Sequence, residues 1–155
     1  LVGGVDENFH PRSAHLRRIR LRDDQYMGEG SGWLFLNARA GTARAELLAV
    51  DNHSDGENMA ALCQETVVRW RQPGEPVHLL TGYRVEENDR ALLRAALPDA
   101  NIESYTVRCG AYPAAAAFGI ATTIEEKSFP TGLIVHGNRN ALGHVMLTVL
   151  RKLTT

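Results

Sequence analysis

The chain has 155 residues, with 17 basic and 18 acidic side chains giving a net charge of −1, and 44% of its residues are apolar. Those values describe one globular domain with one continuous core. Near-neutral charge offers no broad attraction to nucleic acid, and no apolar run reaches the roughly 20 residues that cross a bilayer, so neither nucleic-acid binding nor a membrane span is expected.

No charged N-terminal segment followed by an apolar core marks a signal peptide, which makes the cytoplasm the default address. Cys63 and Cys109 fall in different predicted elements at no metal-ligand spacing. Two reduced thiols are expected, with no metal and no cofactor.

Leu1 to Val5 reads as a strand ending on Gly3-Gly4, and its apolar start without an initiator Met predicts that residues of the same folding unit precede it. Residues 8 to 26 form a polar connection whose basic cluster, Arg17, Arg18, Arg20 and Arg22, reads as a solvated face or a docking surface. Met27-Gly28-Glu29-Gly30-Ser31-Gly32 is a glycine-rich turn, and it leads into a strand over Gly32 to Asn37 that is apolar enough to be covered on both faces. Arg44 to Val50 reads as the next strand and Asp51 to Gly56 as a turn. Ser54 or Asp55 then caps a helix from Glu57, in which Met59, Leu62, Cys63, Val67 and Trp70 recur at helical spacing until Pro73-Gly74.

Val77 to Leu80 predicts a short buried strand, and Asn88 or Asp89 starts a helix carrying Leu92, Leu93, Ala96 and Leu97 that Pro98 ends. Asn101 to Val107 reads as a strand. Tyr112 to Glu126 is apolar around most of its circumference, as befits a helix buried between layers. Gly132 to His136 and Gly143 to Leu150 read as a closing hairpin joined by Gly137-Asn138-Arg139-Asn140. From Arg44 the order is strand, helix, strand, helix, strand, helix, strand, strand. That alternation predicts an α/β layered fold with a largely parallel sheet and one antiparallel strand at the end. The two earlier strands lack helices of their own and read as the end of a preceding unit, which divides the chain into 1–43 and 44–155.

Several of these segments together resemble the later part of a β-ketoacyl-acyl-carrier-protein synthase, a ketosynthase of the thiolase fold. Val2-Gly3-Gly4-Val5-Asp6 is similar to the Gly-Gly strand end that follows the family's nucleophile helix, and Met27 to Gly32 to its G-E-G-[AS]-G turn. Thr81-Gly82-Tyr83 with Asp89 resembles the His-Gly-Thr loop and its downstream Asp. Cys109-Gly110-Ala111-Tyr112-Pro113 resembles the Thr-Gly-His turn, and Gly137 to Gly143 the glycine-rich loop before the last strand. The resemblance implies that 1–43 ends the first thiolase-like half and that 44–155 is the second, C-terminal half.

The same resemblance implies that the condensing residues are missing. The nucleophilic Cys of the family lies upstream of the Gly-Gly strand, outside this chain. Thr81 stands where the first active-site His falls, Ala111 where the second falls, and Thr106 where a Lys is common. Neither Ala nor Thr supplies the proton exchange or charge that decarboxylation and enolate stabilisation need. No catalytic residue is intact on this reading.

Among the remaining histidines, His136 and His144 flank the last predicted turn, where a hairpin would make them neighbours, and His144 is the one candidate for chemistry. Asn138, Asn140 and Gly143 are candidates for binding substrate, since Asn donates to an oxyanion in some condensing enzymes of this superfamily. His10 and His15 are expected in solvent, His53 beside a capped helix start, His78 in the core, and Cys109 as a packing residue.

Three functions compete. The first is a non-condensing ketosynthase-like partner, comparable to a chain-length factor, in fatty-acid or polyketide biosynthesis. It implies an acyl carrier protein as partner and a homodimer, or a heterodimer with an active ketosynthase. The second is an active acyltransferase or condensing enzyme whose Cys lies upstream. The third is a scaffold that binds an acidic carrier protein through Arg17, Arg18, Arg20 and Arg22.

Overall fold

The computed structural model describes residues 2–6, 30–36, 43–54, 58–110, 115–140 and 142–154. Strands β1 (Val2–Asp6) and β2 (Gly30–Leu34) pair antiparallel as a two-stranded sheet, with Gly4 opposite Gly32. There follow β3 (Ala45–His53), α1 (Met59–Trp70), β4 (Val77–Thr81), α2 (Glu87–Ala96), β5 (Asn101–Ser104), the short α3 (Thr106–Cys109), α4 (Ala115–Glu125), β6 (Gly132–Arg139) and β7 (Val145–Lys152).

The second sheet has five strands in the order β3-β7-β6-β4-β5. β4 runs parallel to both β5 and β6, whereas β7 is antiparallel to its two neighbours, β6 and β3. The mixed α/β class and the single reversed strand follow the sequence expectation. The alternation alone did not place that strand between β6 and β3, inside the sheet.

Each face of this sheet has its own core. On one side α1 and α2 cover Val77 and Leu79 of β4, Leu133 and Val135 of β6, and Val145, Leu147 and Val149 of β7. Met59, Cys63 and Val67 of α1 and Leu93 of α2 fill that layer, each side chain contributing roughly 1.5–3 kcal/mol by leaving water. On the other side α4 is enclosed between the sheet and β2, where Leu80, Ile134 and Leu150 meet Tyr105, Ala115 and Ile120, with Leu34 packed alongside. Such enclosure suits a helix that is apolar all round.

The helix ends are chemically specified. Asn58, not Ser54 or Asp55, caps α1: its Oδ1 accepts from the backbone N–H of Ala60 at 2.9 Å and of Ala61 at 3.4 Å. Ser54 lies one residue past the end of β3, which continues through Asp51–His53, because those residues pair with Leu147, Met146 and Val145. Asp55 lies outside the described residues. At α2, Asp89 reaches back to accept from the Glu86 N–H at 3.0 Å, and Glu86 is the N-cap.

Three further boundaries differ from the sequence expectation. β2 stops at Leu34 and leaves Phe35 79% exposed, so this run is not covered on both faces throughout. β5 stops at Ser104, and Thr106 to Cys109 turn helical, ending on Gly110 at φ +75°. β6 runs through Gly137 and Asn138 to Arg139, so the hairpin loop begins at Asn140. α4 is described from Ala115; Tyr112 lies outside the described residues.

Two cationic side chains of β7 lock neighbouring layers. Arg151 donates through Nε to Glu75 at 2.8 Å and through Nη2 to the Trp70 carbonyl at 2.7 Å, holding the end of α1 to the sheet. Lys152 donates to the carbonyls of Thr123 at 3.2 Å and Glu126 at 2.6 Å, doing the same for α4 on the opposite face. Among the described residues no helix is long and apolar enough to cross a membrane.

Candidate functional site

The C-terminal ends of the parallel strands β4 and β6, with the start of α3 beside β5, gather the sequence-derived site residues. Thr81 ends β4. It is 1% exposed, and its hydroxyl donates to the Glu103 carbonyl at 3.2 Å, so both its bulk and its proton are used within the sheet. Thr106 opens α3, with its hydroxyl 2.9 Å from that of Ser104. Ala111, Arg17, Arg18, Arg20, Arg22, His10 and His15 lie outside the described residues.

The loop from Asn140 to His144 is self-bonded. Asn140 Oδ1 accepts from the backbone N–H of Leu142 at 2.9 Å and of His144 at 3.0 Å, an Asx arrangement that orders the turn. Gly143 adopts φ +90°, a left-handed conformation that suits glycine, and its carbonyl accepts from Arg139 at 3.2 Å. Arg139 also pairs with Asp89 at 3.2 Å and so fastens this loop to the start of α2. His144 is tied to Asn140 twice: its N–H donates to the Asn140 side chain, and its carbonyl accepts from the Asn140 backbone N–H at 3.0 Å.

His136 and His144 are not cross-strand neighbours. His136 sits opposite Thr148 in the ladder, while His144 precedes β7, because the hairpin turns later than Gly137. His136 instead meets Tyr105: its Nε2 lies 3.2 Å from the phenol oxygen, and the two rings stack at 29° with centroids 5.5 Å apart. The Tyr105 hydroxyl donates to Asn138 Oδ1 at 3.0 Å. His136 and Tyr105 are each 3% exposed, whereas Asn138, two residues along the same face of β6, is partly exposed. Burial pushes the His136 pKa down to about 4, so the imidazole is neutral at neutral pH.

Two glycines make room for this cluster. A Cβ on Gly82 would fall 1.9 Å from the Tyr105 hydroxyl and 2.1 Å from Asn138 Oδ1, and one on Gly119 of α4 would fall 2.5 Å from Tyr105 Cγ. Gly82 falls within a loop motif legible in the sequence, but nothing local marks Tyr105 or its contact to His136. Tyr105 lay inside a predicted strand, and no local spacing links it to residues 31 and 33 positions away.

The other histidines and the thiols are structural in their surroundings. His78, on the α4 face of β4, packs edge-on against Phe129 at 5.0 Å, and burial holds its pKa below the ordinary value. His53 ends β3 opposite Val145. Cys63 is 1% exposed, and burial pushes its thiol up to about 12, which leaves it unreactive near neutral pH. Cys109 ends α3 with its Sγ 3.3 Å from the Tyr105 carbonyl. Among the described residues no three His, Cys, Asp or Glu side chains gather to hold a metal ion.

A groove of about 510 Å³ opens between α1 and the end of α2, lined by Val67, Val68, Arg71, Pro73 and Pro98. It reaches β4 at Val77, at the strand end opposite Thr81 and Gly82, and shares no residue with the Tyr105 cluster.

No protein-family model matches the chain, and no curated protein matches it. Among solved structures the chain is similar to one described as "AbyA1 - tetronic acid condensing enzyme", with a TM-score of 0.53 at 12% identity, covering 74% of this chain and 49% of that one. At that identity the likeness is one of fold. The match spans about half of the condensing enzyme's length.

Proposed function

We propose that the chain is the later part of a ketosynthase-like protein of the thiolase fold, and that it serves as a non-condensing partner subunit in fatty-acid or polyketide biosynthesis. On this reading residues 1–43 close the first half and 44–155 form the second. The fold likeness to a condensing enzyme supports the architecture. The state of Thr81 carries the functional step: the position at which the family resemblance expects the first imidazole is 1% exposed, with its hydroxyl engaged to Glu103. Such a group neither takes up nor delivers a proton to a bound malonyl thioester.

The partners of this reading are an acyl carrier protein, docked through Arg17, Arg18, Arg20 and Arg22, and a second subunit that is either a copy of the protein or an active ketosynthase. The test uses the purified full-length protein with malonyl-loaded carrier protein, alone and with a co-purified ketosynthase. Expected is no decarboxylation or condensation alone, together with a stable dimer by light scattering. Efficient condensation by the protein alone would overturn the reading in favour of an active enzyme with its nucleophile upstream.

A further inference from the structure

We propose that Tyr105 and His136 are positioning residues that lock the Asn138 carboxamide as a hydrogen-bond donor to the carbonyl oxygen of an acyl thioester, at the C-terminal ends of β4 and β6. The choice of ligand rests on the ketosynthase-like reading above. The donor polarity rests on the hydrogen bonds themselves.

His136 Nδ1 is buried with no partner among the described residues. A buried N–H without an acceptor is rarer and costlier than a bare acceptor nitrogen, so the single proton of the neutral ring belongs on Nε2. Nε2–H then donates to the Tyr105 oxygen, and the Tyr105 hydroxyl donates to Asn138 Oδ1. With Oδ1 taken, the Asn138 amide nitrogen is the outer end of the relay, and its N–H groups fit only an acceptor. Asn138 is also the partly exposed member of the three, while the two behind it are buried.

Location supports a ligand there. Ligands of open α/β sheets collect outside the carboxyl ends of the parallel strands, where β4 and β6 both finish. Gly82 lets the β4 chain pass within van der Waals reach of the relay, leaving no side chain between it and Asn138. An apolar trio of the same shape can be nearly as stable as hydrogen-bonded partners, whereas a satisfied polar relay fixes the orientation of its outer group.

The test titrates the full-length protein, labelled with ¹⁵N, with the N-acetylcysteamine thioester of acetoacetate. Loss of the side-chain resonances in Asn138→Asp identifies them. Expected are a shift of those resonances on titration, about tenfold weaker binding in Asn138→Asp, and several-fold weaker binding in Tyr105→Phe with its fold intact. The analogue with CH2 in place of the thioester carbonyl should bind no better than Asn138→Asp binds the thioester. Unshifted Asn138 resonances at millimolar probe, equal binding of the analogue that lacks the thioester carbonyl, or a Tyr105→Phe protein that loses thermal stability but keeps its affinity would each overturn the proposal. Condensation by the protein alone would remove the partner-subunit reading while leaving this one standing. Absence of probe binding in a non-condensing protein would do the reverse.

Discussion

The two faces of the five-stranded sheet are built from different chemistry. Under α1 and α2 the layer is aliphatic, with Leu79, Leu133, Val135, Leu147 and Val149 each at most 1% exposed. Under α4 the same strands contribute His78, His136 and Asn138, and Thr123 is buried within the helix, where its hydroxyl donates to the Gly119 carbonyl. Alternation along each strand separates the two sets, so one ladder of backbone bonds supports both. The first face holds the fold together. The second spends part of its burial on hydrogen-bonded groups whose geometry matters more than their area.

The sharpest way to break this contrast is on the aliphatic side. Leu133→Ala should destabilise by about 3–4 kcal/mol in urea unfolding, since its side chain is 0% exposed and the packed layer cannot collapse into the space. A loss under about 1 kcal/mol would show that this face is not the principal core.

On the polar side the effect comes through pH. The His136 pKa of about 4 in the folded chain lies below its ordinary 6.5, so the unfolded chain takes up the proton first as pH falls. Its contribution is full above pH 6.5 and is lost on acidification down to about pH 4, a change on the order of 3 kcal/mol. Unfolding free energies of wild type and His136→Gln across that range should differ in slope. Parallel curves would rule out a buried neutral His136.

Arg151→Ala probes the tie between the sheet and the end of α1. Glu75, whose carboxyl burial alone would raise, is carried below its ordinary value by the Arg151 hydrogen bond, the Gln72 backbone N–H and the charges of Arg151 and Arg71. The Arg151 and Glu75 side chains are 17% and 9% exposed, between surface and interior, so the loss should be about 2 kcal/mol. Arg151→Met should recover part of it through packing, and a double-mutant cycle of Arg151→Ala with Glu75→Gln would measure the share of the ion pair. The smallest effect is expected at Asn58→Ala, about 1 kcal/mol, from the lost cap on α1.

Legibility in the sequence divided along the same line. The aliphatic face repeats at helix and strand periods, so α1, α2, β4 and the closing hairpin were readable. Their ends were less so. Ser54 and Asp55 offer earlier caps that compete with Asn58, and the β-branched pair Thr106-Val107 favours a longer β5 although Val107 is 86% exposed on α3. Gly137 reads as a turn residue, but the ladder holds it between Thr81 and Leu147. The relay was invisible for a stronger reason. It joins the end of β5 to β6, and only the sheet order brings those segments together.

The position of β7 has a consequence for how the chain assembles. β3 touches the rest of its sheet through β7, and Ala45 pairs with Lys152. During synthesis β3 emerges early and has no partner in that sheet until β7, the latest of its strands, has followed. Closure then depends on contacts between distant parts of the chain, which is slow, and until then Leu48 and Ala49 of β3 stand without the aliphatic layer they pack against. A nascent chain stalled before Val145 would therefore hold β3 with no partner in the five-stranded sheet.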